Sequence, residues 1–458
     1  MKFFNKNKHI FFVGIGGIGM SGIAEIMLHN GYRVSGSDRE LTDITYYLEK
    51  KGAKIFEGHS EKNLKDVDVL VYSSAVKADN PERQKANRLK IVQIRRAEML
   101  AQIINRQYCI GVSGTHGKTT TTSMVGDVLM EGDLDPTIIV GGRLKSLKTN
   151  ARVGEGEFVV VEADEYDRSF LALSPTIAVI TSLETDHLDI YKDLTDLKNT
   201  FIDYANKTPF YGSVICCLEE ANVKEIIAKI NNNSITYGLS DAAMFYSGDV
   251  QYDKNRSLFN VYFKKELMGS IALKAPGIHN VKNALAAVAV GHQLSIPFNK
   301  IKNALEKFEG VERRFEIKAE INDIMIIDDY AHHPTEVEAT IAAAKKGWDK
   351  RVIAIFQPHL YSRTRDFYKE FAEALSDSDV VFITDVYPAR EKPIKEISGA
   401  LISNELKKLN HKNVYYVQDK SNLPNEIKNI FKANDMLITI GAGDIWKVGN
   451  LIIKDLKK

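Results

Sequence analysis

The chain has 458 residues, with 61 lysines and arginines against 60 aspartates and glutamates, which gives a formal net charge of +1. A single hydrophobic core does not grow to this length, so we expect three domains, and the balanced charge argues against nucleic acid as a partner. No apolar run approaches the roughly 18 residues that span a bilayer. The N-terminus moves straight into a strand, unlike a signal peptide, so we expect no membrane contact and a cytoplasmic protein.

The first block, residues 1–106, alternates between strand and helix patterns. "HIFFVGI", "YRVSGSD", "VDVLVYSSAV" and "KIVQI" read as strands, and "SGIAEIMLHNG" reads as a helix. Such alternation predicts a Rossmann-like parallel sheet with helices on its faces.

A glycine-rich loop follows the first of these strands. Gly14, Gly16 and Gly19 satisfy G-x-G-x-x-G before a helix, and Asp38 lies 19 residues after Gly19. This pattern is the dinucleotide fingerprint, in which backbone amides approach a pyrophosphate and the acid takes a ribose hydroxyl. Nicotinamide binding is the default interpretation, any diphosphate-linked nucleotide satisfies the same geometry, and a purely structural glycine turn remains open.

The second block, residues 107–312, opens with "YCIGVSGTHGKTTTTSMVGDVLMEG", a strand, loop and helix. The usual Walker pattern requires glycine at position 112, where this chain has Val112, but Gly114, Gly117, Lys118 and Thr119 remain. Backbone amides and Lys118 are expected to hold the β- and γ-phosphates of ATP, with the Thr119 hydroxyl on Mg²⁺. The sequence therefore predicts a central P-loop ATPase-like sheet.

Acidic side chains follow two neighbouring strands of this block. "FVVVEADEYD" places Glu162 where a strand stops, and "ETDHLD" places His187 at the end of the next strand. Because Mg²⁺ prefers oxygen ligands, Glu162 is the predicted metal ligand. His187 is interpreted as a ligand or phosphate contact, with an ordinary loop histidine as the alternative. Alternating segments between about 243 and 273 predict a small antiparallel insert.

The third block, residues 313–458, again alternates strands and helices, which predicts a C-terminal Rossmann-like domain. "DDYAHHPTE" places Asp328, Asp329, Tyr330, His332 and His333 after a strand. Ligands of open α/β sheets bind at such strand ends. A zinc site at the paired histidines is the alternative, although no cysteine or third histidine lies at a fitting spacing. The arginines that suit carboxylates or phosphates, or that are solvated surface charges, are Arg313, Arg314, Arg363 and Arg365.

The three cysteines lack any Cys-x-x-Cys or Cys/His metal spacing, and the adjacent pair is a poor disulfide partner. We therefore expect three reduced core residues: Cys109, Cys216 and Cys217.

From end to end, the chain resembles the Mur ligases of peptidoglycan synthesis. The resemblance rests on ordered motifs: "HIFFVGIGGIGMSGIAE", "SSAV", "RRAEML", "SGTHGKTTT", "VEADEYD", "HNVKNALAA", "RRFE", "DDYAHHPTE", "FQPHLYSRTRD" and "GAGDIW". It implies an N-terminal domain that holds a UDP-sugar, a central ATPase and a C-terminal domain that brings an amino acid. The implied reaction is that of the alanine-adding branch: ATP phosphorylates the lactyl carboxylate of UDP-N-acetylmuramate, and L-alanine attacks the acyl phosphate to form an amide.

The resemblance also implies residue roles. Lys118 would neutralise the transferring phosphoryl group, Thr119 and Glu162 would hold Mg²⁺, and His187 would serve a second Mg²⁺ or the acyl phosphate. Other residues implied at the ATP site are Gly114, Thr115, His116, Gly117, Thr120, Asn280, Asn283 and Arg314. Those implied at the UDP-sugar are Gly16, Gly17, Ile18, Asp38, Ser73 and Ser74. Those implied at the alanine or the acyl intermediate are Tyr330, His332 and Arg363, and the oligomeric state is expected to be monomer or homodimer.

Two positions depart from the resemblance. Leu360 stands where many relatives read arginine in "QPHRY", so such a role would be absent or would pass to Arg363 or Arg365. The carbamylated lysine of several sister ligases is also missing, because that region reads "NTFID" around Phe201 and Ile202. Three alternatives remain open: a ligase that recycles murein peptide onto the same UDP-sugar, a nicotinamide-dependent dehydrogenase, and a regulatory nucleotide-binding protein without catalysis.

Overall fold

The computed structural model describes residues 8–104, 107–145, 149–186, 190–389 and 391–457. Within these residues the strands form three sheets, each accompanied by helices, so the predicted α/β fold class is confirmed. The chain divides into two compact units. The first unit comprises Met1–Gly248, Asn260–Ser270 and Lys282–Phe308, and the second comprises Asp249–Phe259, Ile271–Val281 and Glu309–Lys458.

The first sheet is entirely parallel. Its strands are β1 (His9–Val13), β2 (Arg33–Asp38), β3 (Lys54–Glu57), β4 (Val69–Tyr72) and β5 (Val92–Arg95), in the order β3-β2-β1-β4-β5. The accompanying helices are α1 (Ile18–His29), α2 (Asp43–Lys50), α3 (Pro81–Arg88) and α4 (Arg96–Ile104). The strand order reverses between β1 and β4, so the loops that follow these two strands lie at the topological switch point where α/β sheets bind ligands.

The central sheet continues from parallel strands into an antiparallel region. Its strands are β6 (Tyr108–Ser113), β7 (Thr137–Leu144), β8 (Thr149–Arg152), β9 (Phe158–Glu162), β10 (Ile177–Ile180), β11 (Ser213–Cys217), β12 (Ser234–Gly238), β13 (Phe245–Tyr246), β14 (Val250–Asp253), β15 (Arg256–Phe263) and β16 (Glu266–Leu273). The order is β14-β15-β13-β12-β11-β10-β6-β9-β7-β8, with β16 on β15. The predicted antiparallel insert is thus an extension of this sheet.

The helices of this region are α5 (Lys118–Glu131), α6 (Leu194–Ala205), α7 (Ala221–Ile227), α8 (Ile278–Gln293) and α9 (Phe298–Lys307). Strand β6 lies between β10 and β9, and every residue after Tyr108 in this strand is buried. Parallel strands covered on both faces read as continuous apolar runs, which is why this strand was recognisable in the sequence. The loop after β6 therefore leaves the middle of the sheet and opens α5.

The third sheet is parallel except at one edge. Its strands are β17 (Glu316–Ile321), β18 (Ile324–Asp329), β19 (Arg351–Phe356), β20 (Val380–Ile383), β21 (Val414–Tyr416) and β22 (Asp435–Ile440), in the order β17-β18-β22-β19-β20-β21. The antiparallel edge strand is β17. The helices are α10 (Pro334–Gly347), α11 (Tyr361–Leu375), α12 (Ala400–Lys408), α13 (Leu423–Lys428) and α14 (Trp446–Leu456). Across the described ranges, no helix is both long and apolar enough to cross a membrane.

The three cysteines are buried and free of disulfides, as predicted. Burial raises the pKa of the Cys109 and Cys216 thiols to about 12 and that of Cys217 to about 11. Since the thiolate is the reactive form, these side chains behave as core residues.

Candidate functional site

The first glycine loop is tied to the end of β2. The N–H groups of Gly14 and Ile15 both donate to the Ser37 carbonyl, at 2.8 and 3.0 Å. The Gly16 N–H donates to the Asp38 carboxylate at 2.8 Å, and the other oxygen of that carboxylate accepts the Arg39 N–H at 2.7 Å. Asp38 therefore holds the loop in shape, and any contact with a ribose would use a carboxylate that is already hydrogen-bonded.

The other predicted UDP-sugar residues lie at the same sheet edge. Gly17 precedes α1, Ile18 begins it, and the Ile18 side chain is 40% exposed. Ser73 and Ser74 directly follow β4, in a turn closed by the Val76 N–H and the Ser73 carbonyl at 3.0 Å. The structure thus gathers these residues at the carboxyl ends of β1, β2 and β4.

The second loop connects β6 to α5, and its geometry explains the missing Walker glycine. Val112 is fully buried within β6 and pairs with Val179 and Glu162 on the two neighbouring strands, so position 112 belongs to the sheet. The loop itself starts at Gly114, whose φ of +134° is rarely adopted by other residues. A side chain there would also lie 2.1 Å from the Thr181 hydroxyl.

Lys118 is the first residue of α5, and its ammonium is surrounded by oxygen atoms. Nζ lies 3.0 and 2.9 Å from the two Glu165 oxygens and donates to the Gly114 carbonyl at 2.7 Å. Burial lowers the pKa of Lys118, but the carboxylates of Glu165, Asp164 and Glu162 outweigh it and hold the pKa above its ordinary value. Lys118 is therefore a fixed positive charge at the loop.

Glu165 is a residue of the candidate site to which the sequence assigned no role. Its side chain is 1% exposed and forms the ion pair with Lys118. The signal was present in the acidic run at the end of β9, which supplies Glu162, Asp164 and Glu165 within four residues. The residue type alone did not show which of the three carboxylates faces the lysine.

Glu162 ends β9 beside the first turn of α5. The Thr119 hydroxyl and the Gly141 N–H both hydrogen-bond to its carboxylate, while Oε1 is buried without a hydrogen-bond partner among the described residues. Burial raises the pKa of Glu162 above its ordinary value, and the contacts with Thr119 and Lys118 oppose that rise. A buried carboxylate oxygen without a hydrogen bond, next to a threonine hydroxyl, suits a divalent cation.

The rest of the second loop is braced by the strand-end segment after β10. The Thr115 hydroxyl accepts the Glu184 N–H at 2.9 Å, and the His116 ring lies 3.4 Å from the Glu184 carboxylate. Thr120 is buried in α5. His187 lies outside the described residues.

The two predicted asparagines fall in different units. Asn283 belongs to the first unit, where its Oδ1 accepts a hydrogen bond from the Thr121 hydroxyl in α5 at 3.1 Å. Asn280 belongs to the second unit, where its Nδ2 donates to the Pro276 carbonyl at 2.7 Å.

A hairpin of the central sheet joins the surroundings of both loops. Strands β7 and β8 pair antiparallel, and Gly141 of β7 contacts the Glu162 carboxylate. Asn150 of β8 is buried, and its Nδ2 donates to the Ile18 carbonyl in the first turn of α1. Within the first unit, the same hairpin therefore contacts the predicted metal ligand and the helix that follows the first loop.

In the second unit, the residues after β18 form a compact cluster. The His332 ring nitrogen lies 3.1 Å from the Glu336 carboxylate, and Arg314 approaches the same carboxylate at 3.6 Å. The Arg314 guanidinium also lies over the Tyr330 ring, 5.2 Å from its centre, and the Tyr330 and His332 rings meet edge to face. The structure thus brings together Arg314, which was predicted to bind ATP, with Tyr330 and His332, which were predicted to bind the alanine.

The other three arginines that the sequence analysis singled out, Arg313, Arg363 and Arg365, differ in their surroundings. Arg313 is bound to Asp328 at 2.9 Å and to the Gly441 carbonyl at 2.6 Å, so it braces strand ends. Arg365 is half exposed and pairs with its neighbour Asp366, which fits a surface charge. Arg363 is only 7% exposed, in the first turn of α11. The site role of Arg363 stays a prediction.

Leu360 precedes α11 with a φ of +71°, an unusual backbone conformation for a leucine. Its N–H donates to the Tyr387 carbonyl at 3.0 Å, and its carbonyl accepts the Thr364 N–H at 3.1 Å. These contacts set the start of the helix that carries Arg363.

Comparison with known proteins places these features in a family. Residues 9–108 match the model described as Mur ligase family, catalytic domain, residues 112–291 match the Mur ligase middle domain, and residues 313–443 match the Mur ligase, glutamate ligase domain. The chain is 50% identical over 454 residues to the UDP-N-acetylmuramate--L-alanine ligase of Geotalea uraniireducens, covering 99% of both chains.

Solved structures agree in fold. The UDP-N-acetylmuramate-alanine ligase MurC of Thermotoga maritima superposes with a TM-score of 0.85 at 32% identity, covering 98% of this chain and 99% of that one. A murein peptide ligase of Psychrobacter arcticus superposes with a TM-score of 0.73 at 23% identity, covering 98% of this chain and 99% of that one. At that identity the similarity supports the fold alone.

Proposed function

Because the chain belongs to the Mur ligase family, we propose that it joins L-alanine to the lactyl carboxylate of UDP-N-acetylmuramate in an ATP-dependent reaction of peptidoglycan synthesis. The observation that carries this proposal is the 50% identity, over 99% of both chains, to a ligase named for that reaction. The second loop supports it, because Lys118 stands at a helix start where phosphates bind. In the reaction, ATP transfers its γ-phosphoryl group to the carboxylate, the alanine amine attacks the acyl phosphate, and phosphate leaves as the amide forms.

Residue roles in this proposal follow the three predicted domains. Residues 1–106 hold the UDP-sugar through the loops after β1, β2 and β4, that is through Gly16, Gly17, Ile18, Asp38, Ser73 and Ser74. Residues 107–312 hold ATP, and the residues predicted for ATP stay Gly114, Thr115, His116, Gly117, Lys118, Thr119, Thr120, Asn280, Asn283 and Arg314. Residues 313–458 bring the alanine through Tyr330, His332 and Arg363. Lys118 exchanges its bonds to Glu165 for the transferring phosphoryl group, where a fixed ammonium offsets the developing charge.

Magnesium fits the residues beside the second loop. Glu162 offers a buried oxygen without a hydrogen bond, and the Thr119 hydroxyl already contacts the same carboxylate. Mg²⁺ bound there would neutralise phosphate charge. His187 is proposed for a second Mg²⁺ or the acyl phosphate. The monomeric or homodimeric state and the cytoplasmic location stay predictions.

The test is a product assay on the purified protein. With UDP-N-acetylmuramate, Mg-ATP and L-alanine, we expect phosphate release in step with amide formation. Phosphate release only with a tripeptide acceptor would instead identify the murein-recycling reaction. Oxidation of NADH without amide formation would identify a dehydrogenase, and nucleotide binding without turnover would identify a regulatory protein.

A variant tests whether the two loops have separate roles, the first in UDP-sugar binding and the second in phosphoryl transfer. Lys118→Ala should lower turnover by about a thousandfold or more, because the phosphoryl group loses its fixed cation. It should leave UDP-N-acetylmuramate binding unchanged in calorimetry, and the far-ultraviolet circular dichroism spectrum reports independently that the variant is folded. Lys224→Ala removes an exposed lysine from α7 in the same predicted domain and serves as the matched control. Loss of UDP-sugar binding in folded Lys118→Ala would contradict the division.

A further inference from the structure

Arg96 lies against the first glycine loop. It is the first residue of α4 and directly follows β5, whose carboxyl end belongs to the same edge of the first sheet as the loop. A side chain at Gly19 would lie 2.4 Å from Nη1 of Arg96 and 3.3 Å from its Cδ and Cζ. The guanidinium therefore lies on the first turn of α1, and the absence of a side chain at Gly19 leaves the space that it occupies.

The other side of the same guanidinium faces the central acidic cluster. Nη2 lies 3.9 Å from the Asp164 carboxylate, and the two side chains are 33% and 39% exposed. A salt bridge at this distance between two partly exposed side chains contributes little to the stability of the fold. Within the first unit, Arg96 thus carries a positive charge that is only loosely paired, between the first loop and the carboxylates around Lys118.

The first loop needs such a charge if it is to hold a diphosphate. The segment from Val13 to Gly22, "VGIGGIGMSG", contains no charged side chain. The N-terminus of α1 offers backbone amides and roughly half a positive charge, whereas a nucleoside diphosphate carries at least two negative charges. A guanidinium presents a planar fork of N–H groups that matches phosphate oxygens.

The neighbouring Arg95 is occupied elsewhere. Its side chain hydrogen-bonds to the Tyr72 hydroxyl, an interaction that raises the pKa of Arg95. Its backbone N–H donates to the Glu98 carboxylate at 3.1 Å. Arg95 and Arg96 therefore have the same charge and adjacent positions, but Arg96 is the one that lies on the loop.

We propose that Arg96 is a substrate-binding residue whose guanidinium holds the diphosphate of the UDP-sugar against the first turn of α1. On binding, the guanidinium exchanges its loose contact with Asp164 for phosphate oxygens. This inference rests on the proposed function for the identity of the ligand as a UDP-sugar. The lactyl carboxylate is the other anionic group of that substrate, and the experiment separates the two.

The experiment is isothermal titration calorimetry of the full chain with UDP and with UDP-N-acetylmuramate, in the absence of ATP and alanine. Arg96→Gln should weaken binding of both ligands by a similar factor, about ten- to a hundredfold. Arg96→Lys should recover part of the lost affinity, since lysine restores the positive charge but not the planar pair of N–H donors of the guanidinium. Arg95→Gln, which removes the same charge one residue away, should change both affinities by less than about threefold.

Two further measurements separate ligand binding from a structural role. The salt dependence of UDP affinity should be shallower in Arg96→Gln than in Arg95→Gln, because a direct phosphate contact has been lost. Gly19→Ala keeps the charge of Arg96 but pushes its guanidinium off α1. We expect weaker UDP binding from it without loss of thermal stability, since alanine favours a helix interior.

Three outcomes would overturn the inference. One is UDP affinity in Arg96→Gln within about twofold of the wild type, and another is a wild-type protein that does not bind UDP. The third is a loss confined to UDP-N-acetylmuramate, which would assign Arg96 to the lactyl carboxylate. The amide-forming assay is separate: if it fails while UDP binding depends on Arg96, the proposed reaction is wrong and the binding role of Arg96 stands.

Discussion

Asp329 allows a quantitative test of the cluster after β18. Its two carboxylate oxygens accept the N–H groups of Phe315 and Ala331, each at 2.7 Å, and the residue is 6% exposed. Burial raises the pKa of Asp329 to about 6, although Arg314 and the two N–H groups act in the opposite direction. The carboxylate thus joins the segment containing Arg314 to the strand end that carries Tyr330, at a cost in desolvation.

The size and sign of that cost follow from the pKa. The unperturbed value is 3.8, so the shift is about two units, which corresponds to about 3 kcal/mol. Between about pH 4 and pH 6 the folded protein binds more protons at this site than the unfolded chain does. The contribution of Asp329 to the free energy of unfolding is therefore fully present below pH 4, where the carboxyl is protonated, and is lost as the pH rises through 6 and the buried group ionises. The variant Asp329→Asn has no such titration.

The assay is urea unfolding of the wild type and Asp329→Asn between pH 4 and pH 7, followed by tryptophan fluorescence. Both tryptophans, Trp348 and Trp446, lie in residues 313–458, and Trp348 stacks on Phe315 with ring centres 5.5 Å apart. The free energy of unfolding of Asp329→Asn minus that of the wild type should increase by about 3 kcal/mol over this range. Taking the difference cancels the titration of the other carboxylates.

Asp419 provides a control of opposite sign. The Ser421 N–H donates to its exposed carboxylate and lowers its pKa from the ordinary 3.8, so Asp419→Asn should lose stability relative to the wild type as the pH rises towards about 4 and should differ little in pH dependence above that. The control series is therefore extended below about pH 4. A pH-independent difference for Asp329→Asn, or a change in the same direction as Asp419→Asn, would refute the assignment of Asp329 as a buried, costly carboxylate.

Three further predictions concern the first unit. Glu165→Gln should lower stability by roughly 3 kcal/mol, because Lys118 loses its buried counter-charge, and saturating Mg-ATP should restore part of that loss in thermal unfolding. Asn150→Ala should raise the KM for the UDP-sugar by loosening the first turn of α1. Thr149→Val removes the hydroxyl contacts with Glu25 on the same helix, with Tyr47 and with the Ala151 N–H, but it leaves the bond from Asn150 to the Ile18 carbonyl, so it should leave that KM unchanged in steady-state kinetics. Equal effects of the two variants would refute this positioning role. A thiol reagent should label no cysteine in the folded protein and three after denaturation, and rapid labelling before unfolding would contradict the burial of Cys109, Cys216 and Cys217.

The strands with the clearest signal in the sequence are those buried on both faces. Every residue of β18 and β22 is buried, as is every residue of β6 after Tyr108, and each of these strands contains a run of mostly apolar residues. The strands that were not predicted include β3 and β17, which lie at sheet edges and leave part of each strand exposed. An edge strand buries less surface, so its apolar pattern is weaker: "KIVQI" was enough to predict the edge strand β5, whereas the sequences of β3 and β17 resemble loops.

Within the candidate site, the sequence located chemical groups but not their partners. Asp38 and Arg313 have suitable chemistry for ribose and carboxylate, yet the structure commits Asp38 to Gly16 and Arg313 to Asp328. The pairing of Lys118 with Glu165 joins residues 47 positions apart. Such partners depend on which strands become neighbours, and strand order is a property of the fold that spacing along the chain does not contain.

The two loops occupy equivalent positions in their sheets but differ in charge. The first carries no charged side chain of its own, and the Asp38 carboxylate and the Arg96 guanidinium both lie against it. At the second, Lys118 is surrounded by the carboxylates of Glu162, Asp164 and Glu165, so the region is negative before any nucleotide arrives. An anionic nucleotide would be repelled there unless it brings cations, whereas a diphosphate at the first loop meets a cation of the protein. Under the proposed function, the local charge therefore favours a metal-free UDP-sugar at the first loop and Mg-ATP at the second, and this difference is our proposed reason for two loops in one chain.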